Sequence, residues 1–321
     1  MTKQKVFVTR IIPARGLDLI REFCEADIWP GELPPPGEEI IRHVRDAEGI
    51  VSLLTDKIDA GLMDAAPHLK VISNMAVGVD NVDVAAATAH GLPVGNTPGV
   101  LTDATADQTF ALLLAAARRV VEGEKFVRAG KWVTWGPQLL LGADLAGATL
   151  GTIGFGRIGQ AVAKRAQGFD LRVIYHDPTA QPALGALPVG LERLLSESDF
   201  VSLHVPLTKT THHLVNPAFL SRMKPTAILI NTSRGGVVDQ AALYQALKTK
   251  QIFAAALDVT DPEPLPADNP LLELENCLIV PHLGSASKHT RDMMSFLAAQ
   301  NLIAGLKGER LPHCVNPEVY T

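Results

Sequence analysis

Three glycines, Gly154, Gly156 and Gly159, close the apolar run TLGTIGF and open the Ala-rich segment RIGQAVAKRA. At that spacing each has its own task. The first permits a tight turn, the second lets a pyrophosphate approach the backbone, and the third lets helix and strand pack closely. The phosphates then lie over a helix N-terminus, whose free N–H groups and dipole favour anions. Gly-x-Gly-x-x-Gly alone is a weak sign; a strand before it and a helix after it are what point to a dinucleotide. The next strand-like run, LRVIYHD, ends on Asp177. That lies close to the ~20-residue spacing of a ribose-binding carboxylate. A carboxylate there accepts both ribose hydroxyls and repels a 2′-phosphate, and Pro178-Thr179-Ala180 offer no cation to neutralise one. The expectation is NAD, as NADH, in preference to NADP. The plain alternative for Asp177 is a solvated turn residue before a proline.

Nicotinamide chemistry also needs a group to hold the substrate and a proton carrier beside its carbonyl. In a doubly wound sheet both belong beyond the C-terminal ends of strands. Arg234 follows AILINTS there, ahead of Gly235-Gly236; Glu263 lies in VTDPEPLP, between two prolines; His282 ends NCLIVPH. Singly, each has an ordinary reading: a surface ion pair, a solvated loop acid, a strand-end histidine bonded to a carbonyl. His204, inside the run DFVSLHV, is assigned to that last reading. Together the three assemble a reaction. Arg234 offers a planar fork that matches a carboxylate. His282, protonated, donates to a ketone oxygen as hydride arrives, and Glu263 accepts from the other imidazole nitrogen, fixing the tautomer. The flanking prolines fix φ on either side and stiffen the loop that presents Glu263. Asp258, at the end of IFAAALDV, either bonds the nicotinamide amide or caps the following turn.

Short β-branched runs alternate with Ala/Leu-rich runs along most of the chain, which predicts an α/β fold with two doubly wound parallel sheets. The predicted strands are 5–9, 49–54, 69–75 and 92–96 in a first block, with a Pro/Gly/Glu loop at 30–39. A long helix is predicted from Asp103 to about Ala129, ended by Gly130, then a loop carrying Trp132 and Trp135. A second block follows with strands 149–155, 171–177, 199–205, 227–233, 252–259 and 276–282. A last helix runs from Ala286 to about Leu306, ahead of a polar tail. The expected domains are 1–98, completed by 287–321, and a dinucleotide-binding domain over 99–286. At 321 residues, with 47% apolar and 20% charged, the chain has the length and balance of a two-domain globular protein. A formal charge of −5 and the absence of basic runs argue against nucleic acid and anionic membranes. The longest apolar stretch, Phe110 to Ala117, falls far short of the ~20 residues that span a bilayer. Three widely spaced cysteines suggest reduced thiols, and with the strand-like start VFVT the expected location is cytoplasmic. No His/Cys cluster suggests a metal; His212 and His213 are adjacent and would diverge on a helix or strand.

Several segments resemble the D-specific 2-hydroxy-acid dehydrogenase family, in its glyoxylate/hydroxypyruvate reductase branch: VISNMAVGVDNVD, NTPGVLTDATAD, GTIGFGRIGQAVAKR, INTSRGGVVDQAALYQAL, AALDVTDPEPLP and IVPHLGSAS. The resemblance covers essentially the whole chain and implies a Rossmann domain with a smaller flavodoxin-like domain. It implies NAD(P)H-dependent reduction of a small 2-oxo acid, glyoxylate or hydroxypyruvate, to glycolate or D-glycerate. The family's arginine, glutamate and histidine fall on Arg234, Glu263 and His282. Backbone amides at Val77 and Gly78 are then expected to bind the substrate carboxylate, with Leu53 and Ser285 beside it, in a cleft between domains. Cofactor contacts carried over are Thr105, Arg157, Ile158, Asp177, Pro206, Thr232, Asp258 and Gly284, with Gly154, Gly156 and Gly159. A homodimer is implied, with Trp135 on an arm reaching the partner. Three departures bear on this. Mammalian-type reductases carry Gly-Arg where Asp177-Pro178 stand, a pair that goes with NADP. Phosphite-oxidising relatives have lysine at Val77, and formate-oxidising relatives have glutamine at Glu263. Two alternatives stay open: a dehydrogenase for another D-2-hydroxy acid, and a dinucleotide-sensing protein like the corepressors that share this fold.

Overall fold

The computed structural model describes residues 3–321, which divide into two units. One runs to Leu101 and takes in Ser287–Thr321; the other is Thr102–Ala286.

The first unit is a parallel five-stranded sheet of β1 (Gln4–Val8), β2 (Cys24–Ile28), β3 (Gly49–Ser52), β4 (Val71–Asn74) and β5 (Val94–Gly95). The order β2-β1-β3-β4-β5 is that of a flavodoxin-like fold. Every residue of β3 and β4 is buried, as helices on both faces of a parallel sheet require. The C-terminal helix Lys288–Leu306 belongs to this unit. Ser73 Oγ bonds the Ala298 carbonyl at 2.8 Å, and a Cβ on Gly305 would sit 2.5 Å from Val71 Cβ, so that close packing requires glycine.

The second unit is a seven-stranded parallel sheet: β6 (Thr149–Ile153), β7 (Arg172–His176), β8 (Leu187–Pro188), β9 (Phe200–Leu203), β10 (Ile228–Asn231), β11 (Ala254–Leu257) and β12 (Cys277–Ile279). Its order, β8-β7-β6-β9-β10-β11-β12, is the Rossmann order with one strand added. Alternate residues of β10 feed two cores: Leu229 packs with Ile153, Leu203 and Leu257, and Ile228 and Ile230 with Phe155, Tyr175 and Phe110.

Several elements differ from the sequence expectation. β2 was not foreseen, because the edge strand CEADI buries Cys24 and exposes Glu25 and Asp27, and its composition does not read as a strand. The expected loop at 30–39 turns into a helix at Gly37, with Pro36 ahead of it and Glu38 and Glu39 in its first turn. The single helix expected over 103–129 is two, Thr102–Ala117 and Val120–Arg128, broken where Arg119 takes φ 52°. The tail after the last helix is not simply solvated: Asn316 is fully buried, accepting the Val94 N–H at 2.8 Å. The His212 and His213 rings do not diverge. They stack with centroids 4.0 Å apart, in a loop where His213 takes φ 50°. All three cysteines are free thiols. Among the described residues no helix is long and apolar enough to cross a membrane, and no His/Cys/Asp/Glu group could hold a metal ion.

Candidate active site

β10, β11 and β12 end side by side, and the loops that follow them carry Arg234, Glu263 and His282. The Arg234 turn is shaped from within: Asn231, fully buried, donates to the Arg234 carbonyl at 2.9 Å and accepts from the Ser233 N–H and hydroxyl at 3.0 and 2.8 Å. Gly235 then lets this turn meet the next loop, since a Cβ there would lie 1.9 Å from the Thr260 carbonyl oxygen. Gln240 reaches across and donates to the Asp261 carbonyl. The Thr260 hydroxyl bonds the Pro262 carbonyl at 2.9 Å and its N–H approaches Glu263 Oε2 at 3.4 Å. Both X-Pro bonds in Asp261-Pro262-Glu263-Pro264 are cis.

Glu263 Oε1 lies 2.6 Å from His282 Nδ1. Burial works to raise the Glu263 carboxyl, but the His282 bond and charge, the Thr260 N–H and the Arg234 guanidinium outweigh it and hold it below its ordinary 4.5. Glu263 is therefore a carboxylate at neutral pH, and its bond to Nδ1 leaves His282 Nε2 as the nitrogen that can exchange a proton. His282 itself takes φ 54°, a left-handed conformation that costs a side-chain-bearing residue about 1–2 kcal/mol.

Asp258 holds it there. The aspartate is 1% exposed; its carbonyl accepts the His282 N–H at 2.9 Å, Oδ1 the Leu283 N–H at 2.6 Å and Oδ2 the Gly284 N–H at 2.8 Å. Of the two roles open to Asp258, capping the turn is the one these bonds perform. Burial raises its carboxyl above the ordinary 3.8 against the pull of those two N–H groups. Gly284 packs on Thr105, and Thr105 is joined to the end of β10: its carbonyl accepts from the Thr109 hydroxyl at 2.8 Å, which lies 2.9 Å from the Thr232 hydroxyl. Ser285 is half-buried just beyond Gly284.

At the end of β6, Gly154 takes φ 88° and packs against His204, whose carbonyl oxygen a Cβ would approach to 2.5 Å. Gly159 packs on Gly154 in the same way, whereas nothing lies within 4 Å of a Cβ on Gly156. Helix Arg157–Ala166 therefore starts on an open glycine with no side-chain cap, and Arg157 and Ile158 form its first turn. This cradle fits a dinucleotide pyrophosphate. His204 lies just past β9 with Nε2 2.9 Å from the Ser202 hydroxyl, and burial pushes its ring down to about 4, so it stays neutral. Asp177, expected as a ribose carboxylate, bonds the backbone around it. Oδ2 accepts the Phe155 N–H at 2.8 Å, and Oδ1 takes the Thr179 N–H and hydroxyl and the Ala180 N–H. Burial opposes ionisation, but these four donors win and keep the carboxyl below 3.8. Pro206, exposed, accepts through its carbonyl from the Thr211 hydroxyl at 2.6 Å.

The pattern described as the NAD-binding domain of D-isomer specific 2-hydroxyacid dehydrogenases matches residues 110–284. Glyoxylate reductase of Korarchaeum cryptofilum is 55% identical over 99% of this chain and 97% of its own length. The chain belongs to the D-isomer specific 2-hydroxyacid dehydrogenase family. A solved protein of Thermus thermophilus superposes with a TM-score of 0.93 at 52% identity, covering 97% of this chain and 99% of that one. The NADPH-dependent glyoxylate/hydroxypyruvate reductase of Sinorhizobium meliloti, solved with NADP and malonate, gives 0.88 at 36%, covering 98% and 97%.

The remaining expected positions of this dehydrogenase are Leu53, Val77, Gly78 and Trp135. Leu53, Val77 and Gly78 are half-buried in the first unit, on the loops after β3 and β4. Trp135 is 78% exposed in the second unit. Sequence reasoning missed Asn231, Thr260 and Gln240, whose work is to hold backbone. Asn231 stands in the motif INTSRGG, three residues before the arginine, and that adjacency was the available signal. Asp258→Asn replaces one of the two acceptors by a donor facing the Leu283 or the Gly284 N–H. Hydrogen exchange at Leu283 and Gly284 is expected to accelerate while the rest of the sheet stays protected; unchanged exchange there would show that Asp258 does not hold the turn.

Proposed function

We propose that this NAD(P)-dependent oxidoreductase reduces glyoxylate and hydroxypyruvate to glycolate and D-glycerate, with His282 as the general acid. Bound NADH supplies the hydride. The observation that carries the reading is the 2.6 Å contact between His282 Nδ1 and Glu263, because it commits one ring nitrogen and leaves the other to the substrate. His282 Nε2 donates a proton to the carbonyl oxygen as the carbonyl carbon takes the hydride, and the neutral ring is recharged from water. In the reverse direction the same nitrogen takes the hydroxyl proton. Glu263 stabilises the imidazolium before transfer and holds the ring plane. Arg234 offers its fork to the substrate's oxygens, and the Val77 and Gly78 N–H groups take the carboxylate. The names of the relatives, glyoxylate reductases among them, support this substrate class.

A positioned general acid contributes ~10²–10⁴ in rate. His282→Ala is expected to lose kcat with glyoxylate by that order, followed by NADH absorbance, while NADH binding survives in titration. A near-wild-type kcat would reject the assignment. A wild-type protein that bound NADH yet turned over none of glyoxylate, hydroxypyruvate, pyruvate and phenylpyruvate would favour a dinucleotide sensor.

We also propose that NADH is preferred to NADPH. Asp177 is ionised at the end of β7, and Oδ2, with one bond against three on Oδ1, has room for a ribose hydroxyl. A 2′-phosphate there would meet like charge, worth several kcal/mol. Asp177→Ala should weaken both cofactors, because Phe155, Thr179 and Ala180 lose their acceptor. The ratio of kcat/KM for NADPH to that for NADH should nevertheless rise, by about tenfold or more. An unchanged ratio removes this argument.

A further inference from the structure

Four consecutive carbonyls in the loop after β4 are taken by donors of the first unit. Ala76 accepts from the Thr97 N–H at 2.9 Å, Val77 from Asn96 Nδ2 at 2.8 Å, Gly78 from Asn74 Nδ2 at 3.0 Å and Val79 from the Val82 N–H at 2.9 Å. In a trans peptide the C=O of one residue and the N–H of the next point in opposite directions. Anchoring the carbonyls of Ala76, Val77 and Gly78 therefore turns the N–H groups of Val77, Gly78 and Val79 away from the scaffold. None of these three N–H groups donates to a described residue. Successive N–H groups turned outward form a concavity suited to an anion.

We infer that a network of asparagines, Asn74, Asn81, Asn96 and Asn301, positions these amides for the substrate carboxylate. The inference rests on the reading of Val77 and Gly78 given above and assigns the groups that set them. Asn74, fully buried, spends its other amide hydrogen on Asn81 Oδ1 at 3.1 Å and accepts from the Ser52 hydroxyl at 3.0 Å. Asn81 Nδ2 donates to the carbonyls of Leu53 and Asp56, both at 2.9 Å, so one amide fixes the loop after β3 as well. Asn301, on the C-terminal helix, holds the Asn96 carbonyl at 2.8 Å and accepts the His313 N–H at 3.0 Å. Gly95 makes room for it, since a Cβ there would lie 2.7 Å from Asn301 Cβ. The amide side chain suits each place because it donates and accepts without charge. An aspartate could not donate to a carbonyl, and its charge would oppose the anion.

The sharpest position is Asn96, whose bond to the Val77 carbonyl directs the Gly78 N–H. In full-length Asn96→Ala the KM for glyoxylate should rise about tenfold or more, with kcat at saturation and NADH affinity changed much less. Asn96→Ser, with a shorter donor, serves if the alanine variant does not fold. Amide NMR with oxamate, a carboxylate that cannot be reduced, separates the layers. In wild type the Val77 and Gly78 N–H signals should move on oxamate addition, and in Asn96→Ala the Gly78 response should be lost. Moving signals in wild type with an unchanged KM in the folded variant overturn the positioning role and leave the carboxylate reading standing. Unmoved signals in wild type overturn that reading and the inference together.

Discussion

The contact between Glu263 Oε1 and His282 Nδ1, at 2.6 Å, is the interaction to which much of the second unit is subordinate. It joins loops from two adjacent strands, β11 and β12. A charge-assisted bond of this kind is strong when both partners are held, and weak when either must be ordered first. The surroundings do that ordering. Asp258 grips the histidine's turn through three backbone N–H groups and sustains its left-handed φ; Thr260 and Gln240 fold the loop of Glu263. Gly235 lets the arginine turn press on Thr260, which brings the Arg234 charge to bear on the same carboxylate.

A common logic runs through both units. Parallel strands end in polar residues whose side chains bond backbone, and the backbone so fixed presents the reactive groups. Asn231 does this after β10, Asp177 after β7, and the asparagines after β3 and β4. Glycine takes part where two backbones must touch: Gly154 on His204 and Gly235 on Thr260. The chemistry proposed for this dehydrogenase therefore rests on loops held by many internal bonds.

Much of the second unit was legible in the sequence because its central strands, β6, β9, β10 and β11, are continuous apolar runs, buried on both faces, followed by a change of composition. Arg234, Glu263 and His282 stand at or just past the ends of apolar runs, and so their common edge could be inferred. The predicted strands ran two or three residues long at several ends, as at His204, because apolar or β-branched residues continue into the turns. Less legible were elements without periodicity. β2 alternates cysteine with acids; β8 is two residues; the break at Arg119 is a backbone conformation that no apolar pattern announces. The asparagine network could not be read at all. Asn96 and Asn301 are brought together only when the C-terminal helix returns to β4 and β5, and local sequence carries no sign of that. From the sequence Asp177 is expected as a ligand of the cofactor, and Asp258 either as one or as the cap of its turn. The structure shows both bonding nearby backbone.

In the proposed mechanism Glu263 commits one nitrogen of His282 and leaves the other to the substrate. Nitrogen-15 NMR of the neutral imidazole tests it without any substrate. The proton is expected on Nδ1, facing the carboxylate, with Nε2 bare. A neutral ring carrying its proton on Nε2, with Nδ1 bare beside the carboxylate, would contradict it.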